Sequence, residues 1–285
     1  TLVELNRLGA NTVGYELNPV AWWTIKKSID EVDLGRLRDE FENLLQDVRE
    51  DLDEFYTTTD PDTGREGEIL FSFKSQVIEC NTCDEQVRLF KNYRLAKARK
   101  TIDGAVYCPN PDCDDRVITF DREIEDTETC PSCGKTFDPS DGNYSRGKYT
   151  CSNGHKHDVR ETLQRRDEKP EFEDFVIQYQ TPAGDKKFKE VDEDDRETIN
   201  KAQEAWEEFD PTIFPRQEIP DGYNTRQIKN WNYDYFYELF TERQLLTFSK
   251  AFERALEVDD QNVQEFLITS LSRSLEYNSI LCRWE

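Results

Sequence analysis

The stretch CPSCGKTFDPSDGNYSRGKYTCSNGH, Cys130 to His155, carries two short knuckles of metal-ligating residues, Cys130 with Cys133 and Cys151 with His155. Two ligands separated by two to four residues let one tight turn aim both side chains at a single tetrahedral ion. Gly134, directly after the second cysteine, permits the backbone turn that points amide N–H groups at a thiolate. Towards the N-terminus the pattern recurs in CNTC, Cys80 to Cys83, and in CPNPDC, Cys108 to Cys113. The second knuckle of each pair follows the first by roughly 17 to 25 residues, the length of a short hairpin. Taken in chain order, this spacing predicts two zinc ions. One is held by Cys80, Cys83, Cys108 and Cys113, the other by Cys130, Cys133, Cys151 and His155. A cross-braced arrangement of the four knuckles is the alternative, and His157 competes with His155 for the last position. Every position in each set is a protein ligand, so no position is left open for water and the zincs read as structural. Disulfides suit secreted chains, and nothing here reads as secreted. The eighth cysteine, Cys282 in SILCRWE, reads as a buried thiol in an apolar context.

Around these knuckles, from about Ile69 to His157, strands are short and Gly and Pro are frequent, the texture of a small β-rich region. Inside it lies RLFKNYRLAKARK, Arg88 to Lys100, with six bases and no acid. Arg88, Lys91, Arg94, Lys97, Arg99 and Lys100 interleaved with Phe90 and Tyr93 suit phosphate contacts combined with base stacking. A solvated strand face that balances neighbouring acids explains the same stripe without a ligand.

The 285-residue chain as a whole is nonetheless strongly acidic: net charge is −24, from 61 acids against 37 bases. Mean hydropathy is −0.88, yet aromatics reach 12%, too many for a disordered acidic chain. The acids are spread along the chain and Lys is scarce, 16 against 21 Arg. This favours adaptation to high salt, as in a halophilic archaeon, over an ordinary acidic surface. No run of 18 apolar residues and no signal peptide is present, so a cytoplasmic protein without membrane partners is expected. The sequence has no methionine and begins at Thr1, which predicts a translation start further upstream.

Flanking the cysteine region, helical patterns dominate. TLVELNRLGA reads as a helix end stopped by Gly9, NTVGYEL as a short strand, and NPVAWWTIKKSI as a helix capped by Asn18 with Pro19 at its first position. Leu34, Leu37, Phe41, Leu44, Val48, Leu52 and Phe55 form one apolar stripe on a long helix. TTTDPDTGREGE reads as a loop, and DPTIFPRQEIPDGYNT as a proline-rich linker. C-terminally, ETINKAQEAWEEF, TERQLLTFSKAFERALEV and QNVQEFLITSLSRSLEY are three helices, the second opened by a capping box from Thr241 to Gln244.

One acid stands apart. Glu16 closes the apolar run TVGYE just before Asn-Pro and a helix. In doubly wound α/β domains ligands bind beyond the carboxyl ends of strands, where such an acid accepts hydrogen bonds from a ribose. The stretch TLVELNRLGANTVGYELNPVAWW resembles the region after the Gly-rich loop of S-adenosylmethionine-dependent DNA methyltransferases. It is most similar to the large archaeal and bacterial adenine-specific DNA methylases that carry zinc-ribbon insertions. RLFKNYRLAKARK, CPSCGKTFDPSDGNYSRGKYTC, QEIPDGYNT and YFYELFTERQLLTFSK also resemble members of that group. The resemblance implies N6-methylation of adenine in double-stranded DNA, within restriction-modification or BREX-type phage defence, with other phage-defence subunits as further partners. It implies S-adenosylmethionine as cofactor in the full-length protein, with Glu16 and Asn18 on the donor side.

The family's Gly-rich loop would lie before Thr1. Its Asp/Asn-Pro-Pro-Tyr/Phe motif would lie after Glu285, so this segment alone is expected to be inactive. His155 stands where that family usually has cysteine. The expected fold is α/β: a partial Rossmann-like methyltransferase segment with the long helix over 1–68, a double zinc-ribbon insertion over 69–158, and a helical segment over 159–285. The competing function is a non-enzymatic zinc-ribbon module that binds nucleic acid or protein.

Overall fold

A computed structural model describes residues 2–99, 103–209 and 215–280. The chain opens with helix α1 (Leu2–Arg7) and, after residues 10–17, helix α2 (Pro19–Ile29). Asn18 caps α2 as its sequence requires: its side-chain oxygen accepts from the N–H of Val20 at 2.9 Å and of Ala21 at 3.4 Å. The strand expected in NTVGYEL does not form. Its residues lack ladder partners, and Val13 and Tyr15 are 82% and 98% exposed. A strand exists only against another strand, and the described residues of this part of the chain contain none. Every strand pair among the described residues is antiparallel, so no doubly wound parallel sheet is present among them.

Helix α3 (Leu34–Leu52) follows, capped by Asp33. The stretch read as a loop is instead a hairpin between β1 (Thr57–Thr59) and the 14-residue β2 (Glu66–Glu79). Then come β3 (Gln86–Leu89), β4 (Arg94–Ala96), β5 (Gly104–Tyr107), β6 (Val117–Phe120), β7 (Glu128–Thr129), β8 (Thr136–Phe137), β9 (Tyr144–Ser145), β10 (Lys148–Thr150) and β11 (Lys156–Asp158). After helix α4 (Val159–Arg166), the segment expected to be helical first forms two more strands, β12 (Glu171–Gln180) and β13 (Lys186–Glu190). Helices α5 (Glu193–Glu208), α6 (Arg226–Lys229), α7 (Glu242–Leu256) and α8 (Gln261–Asn278) complete the chain.

β12 lies between β2 and β13 in the largest sheet, and Phe175 to Tyr179 are all buried. One face packs Ile177 and Tyr179 with Ile69, Val191 and Ile199, while Val176 joins Phe73, Ala105, Tyr107 and Phe188. A strand covered on both faces shows no alternation of apolar and polar residues, so periodicity does not reveal it.

The chain divides into two compact units. The first is helical and contains α1–α3, α7 and α8; the second contains β1–β13 with α4 and α6, and the boundary falls within α5. In the helical unit, Leu44 with Leu37 and Val48 packs against Ala251, Ala255, Val263 and Leu267. The capping box is formed as read: Gln244 N–H donates to the Thr241 hydroxyl, and Thr241 N–H donates to the Gln244 side chain at 3.0 Å.

Lys27 ties α2 to α8. It is 5% exposed and reaches Glu265 at 2.5 Å and Asp30 at 2.8 Å. Hydrogen bonds from Lys27 and Lys26 hold the Glu265 carboxyl below its ordinary range. A depressed folded-state pKa gives stability that is complete above the unfolded carboxyl's value of about 4.3 and is lost as pH falls through the folded value. Wild type is therefore expected to melt higher than Glu265→Gln at pH 7. The gap should close steadily below about pH 4, as followed by circular dichroism.

Candidate metal centres

Four tight turns carry the cysteine and histidine ligands, and hairpin geometry fixes each. Between β2 and β3, the N–H of Cys80 donates to Glu85 O at 2.8 Å and the N–H of Asp84 to Cys80 O at 3.0 Å. The turn after Cys130 repeats this pattern, with Cys130 N–H to Lys135 O at 2.9 Å and Gly134 N–H to Cys130 O at 2.9 Å. Asp84 (φ 55°) and Gly134 (φ 73°) both occupy the left-handed region that closes the knuckle. Between β10 and β11, Cys151 N–H donates to His155 O at 3.0 Å, and between β5 and β6 Cys108 N–H donates to Arg116 O at 2.7 Å.

The structure brings the eight ligands together in two groups of four, Cys80–Cys83–Cys151–His155 and Cys108–Cys113–Cys130–Cys133, each with its ligand atoms within 4.8 Å of one another. The four knuckles therefore pair as first with fourth and second with third. One metal module sits inside the other. This corrects the pairing in chain order, and the cross-braced alternative as well. His155 is the histidine of its group. Half-buried His157 instead lies on β11 opposite Tyr149 of β10, with Nε2 3.1 Å from the Thr82 hydroxyl.

The reason for the nesting is the return of residues 142–144 to the end of β3. Asn143 accepts from Phe90 N–H and donates to Arg88 O, both at 2.8 Å, and Tyr144 N–H donates to Phe90 O at 3.0 Å. The β9–β10–β11 ribbon thereby docks beside the first knuckle, and Tyr149, 1% exposed, fills the core with Ile78, Val87, Leu89 and Val159. Glu85 clasps the two turns, accepting from the Ser152 hydroxyl at 2.8 Å and its N–H at 3.1 Å. Asn153 donates to the Cys83 sulfur at 3.4 Å. The inner group is walled by Val106, Ile118 and Phe137, and braced by the Arg122–Glu128 pair at 2.8 Å. Glu85, Asn143 and Asn153 carry no spacing signal, and only the fold reveals them.

The distances fit a tetrahedral ion. Ligands about 2.3 Å from a central metal lie about 3.8 Å apart for two sulfurs, and about 3.5 Å for a sulfur and an imidazole nitrogen. Observed sulfur–sulfur separations are 3.9 Å for Cys83–Cys151, 3.7 Å for Cys108–Cys133 and 3.6 Å for Cys113–Cys130. His155 Nδ1 lies 3.4 Å from Cys151 and 3.9 Å from Cys80. The seven cysteines involved are free rather than bridged, since a disulfide needs about 2.05 Å. Donation from Asn110 and from the Lys135 N–H lowers the Cys133 thiol to about 6, whereas burial raises Cys108 to about 12. A buried sulfur of that kind is deprotonated when a metal replaces the proton.

The basic stripe is divided by the fold. Phe90 is buried, and its ring lies 5.3 Å from Tyr93 and 5.2 Å from Phe175, so these two aromatics belong to the core. Arg88 is paired with Glu173 at 2.6 Å. Arg94 is half-buried on β4, while Lys91, Lys97 and Arg99 are exposed. Lys100 and Cys282 lie outside the described residues. Glu16 is exposed and accepts from the N–H of Asn18 at 3.0 Å. No helix among the described residues is long and apolar enough to cross a membrane. Comparison of the chain with protein-family models, characterised proteins and solved structures finds no match. The methyltransferase resemblance is therefore carried by the quoted stretches alone.

Proposed function

We propose that both four-ligand groups bind zinc. We further propose that this zinc module belongs to an S-adenosylmethionine-dependent DNA adenine-N6 methyltransferase of restriction or phage defence. The observation that carries the metal reading is the set of 3.4–3.9 Å ligand separations, the edge lengths of a tetrahedron about zinc. Four protein ligands close each site, so the ions brace the fold and take no part in chemistry. Elemental analysis of the purified protein is expected to give two zinc ions per chain, and one or none would sink the assignment.

The finer reading is supported by residues 10–17. Val13, Tyr15 and Leu17 are apolar and solvent-facing, in a stretch without regular secondary structure that leads through Glu16 into the Asn18-capped α2. In a doubly wound sheet an acid at the end of a strand meets the cofactor ribose. Glu16 fits that part. Its Oε1 takes the Asn18 N–H, and Oε2 takes no hydrogen bond among the described residues. The bound donor would supply an electrophilic methyl group, while Glu16 would orient its ribose.

In the intact enzyme, Glu16→Ala is expected to weaken donor binding by about 1.5–3 kcal/mol, roughly tenfold to a hundredfold. Zinc content and melting temperature should not change, since Glu16 is remote in sequence from both ligand groups and supports no core. The measurement is donor titration of wild type beside the variant. Equal affinities would leave the zinc-binding module without the methyltransferase reading.

A further inference from the structure

The segment from Gly142 to His157 contains three bases, two histidines and no acid, in a chain whose net charge is −24. It forms the three-stranded ribbon β9–β10–β11. Register fixes which residues share a face. Lys148 lies opposite Ser145 and Asp158, and Thr150 opposite Lys156, while Tyr149 lies opposite Tyr144 and His157. The tyrosine face is the buried one. Ser145, Lys148 and Lys156 therefore stand together on the exposed face.

Arg146 extends this face at the hairpin tip. Arg146 (φ 52°) and Gly147 (φ 82°) form a two-residue turn with both φ positive, closed by the Ser145–Lys148 pair. That position favours Asn or Gly, and an arginine held there is strained by about 1 kcal/mol. Strain at an exposed basic residue points to use. Arg146, Lys148 and Lys156 have no ion-pair partner among the described residues, whereas Arg88, Arg122 and Arg166 of the same unit are each paired with an acid. Asp158, the one acid on the face, caps α4 through Oδ1, which accepts from Glu161 N–H at 3.1 Å, while its Oδ2 lies beside the Gly147 turn.

We propose that this ribbon face, through Arg146, Lys148 and Lys156, contacts the phosphate backbone of duplex DNA. Cations without an exposed aromatic platform suit phosphates rather than unstacked bases. Phe90 and Tyr149 are buried and Tyr93 is packed among core rings, which takes away the stacking that single-strand binders use. The acidic remainder of the molecule repels a polyanion, so a face where three unpaired bases outnumber a single helix-capping acid is the one by which DNA approaches. The proposal rests on the reading of the chain as a DNA-acting protein, but it needs no methyl donor.

The test uses the zinc-loaded full chain and fluorescence anisotropy with a labelled mixed-sequence duplex, without donor. Three phosphate contacts give a log–log salt slope of about −2.7, roughly a fortyfold loss of affinity between 50 and 200 mM salt. Arg146→Glu, Lys148→Glu and Lys156→Glu together are expected to weaken binding at least tenfold and to flatten that slope, with two zincs retained. Reversal of Arg38, Arg65 and Arg226, exposed bases elsewhere, should change affinity less than twofold. Should the triple reversal lose metal, the corresponding Gln set carries the comparison. No binding by wild type at 50 mM salt, equal loss in the control set, or displacement by duplex RNA at lower concentration than by unlabelled DNA would overturn the proposal. Donor titration of Glu16→Ala is read separately, so failure of this surface and failure of the methyltransferase reading are distinguishable.

Discussion

Cys80→Ser is expected to release one of two zinc ions, and adding Cys151→Ser to release no more, whereas adding Cys113→Ser releases the second. The reason is the nested pairing: Cys80 and Cys151 belong to one ligand group and Cys113 to the other. Pairing in chain order gives the opposite pattern, because Cys80 and Cys113 would then share an ion while Cys151 held the other. Metal stoichiometry of the single and double variants by mass spectrometry under native conditions decides between them. The thermodynamic effect is large. Structural zinc binding is worth about 10–16 kcal/mol in small zinc domains, and it is folding energy. Loss of either ion should therefore remove a large part of the folding energy of its module. Loss of the outer ion frees the β9–β11 ribbon from the first knuckle, while loss of the inner one unfastens the β5–β6 hairpin from the Cys130 turn.

Gly142→Ala is expected to undo the outer pairing with every ligand intact. A β-carbon on Gly142 would lie 1.9 Å from the Phe90 carbonyl oxygen and 2.6 Å from the Lys91 carbonyl carbon. The obstacle is backbone, so no side-chain rotation relieves it. The same approach carries the Asn143 bonds to Arg88 and Phe90 that seat the ribbon. Overpacking of this kind costs about 3 kcal/mol, the upper end of its usual range. The expected readout is a lower unfolding midpoint in urea and weaker affinity at the Cys80 site. Cys108, Cys113, Cys130 and Cys133 should hold their ion as in wild type. An unchanged midpoint would show that the ribbon docks by some other contact.

Capping and knuckle chemistry were legible because they are local. Asn18 and Thr241 cap the helices their positions announced, and Gly134 closes the turn after Cys133. The partners of the knuckles were not legible. Spacing rewards the nearest hairpin, but loop-closure entropy grows only slowly with length, so joining Cys83 to Cys151 costs little more than a short closure. β12 was hidden because burial on both faces erased the alternation that marks a strand. In the opposite direction, NTVGYEL has the composition of a strand but no strand to pair with among the described residues. The aromatics of the basic stripe looked available for stacking, whereas Phe90 and Tyr93 are held in the core by Tyr107, Phe137 and Phe175.

By itself the sequence determined which side chains could hold metal, where the capped helices begin, and that an acidic chain carries a basic stripe from Arg88 to Lys100. Those properties belong to residue identity and to neighbours a few positions away. Tertiary structure decided which knuckle meets which, that β12 completes the main sheet, which bases are already paired with acids, and which face of the β9–β11 ribbon points outward. Each of these depends on contacts between residues far apart in the chain. Gly142 against Phe90 and Glu85 against Ser152 lie 52 and 67 positions apart. No local pattern encodes such contacts, because their energy exists only once the chain has folded.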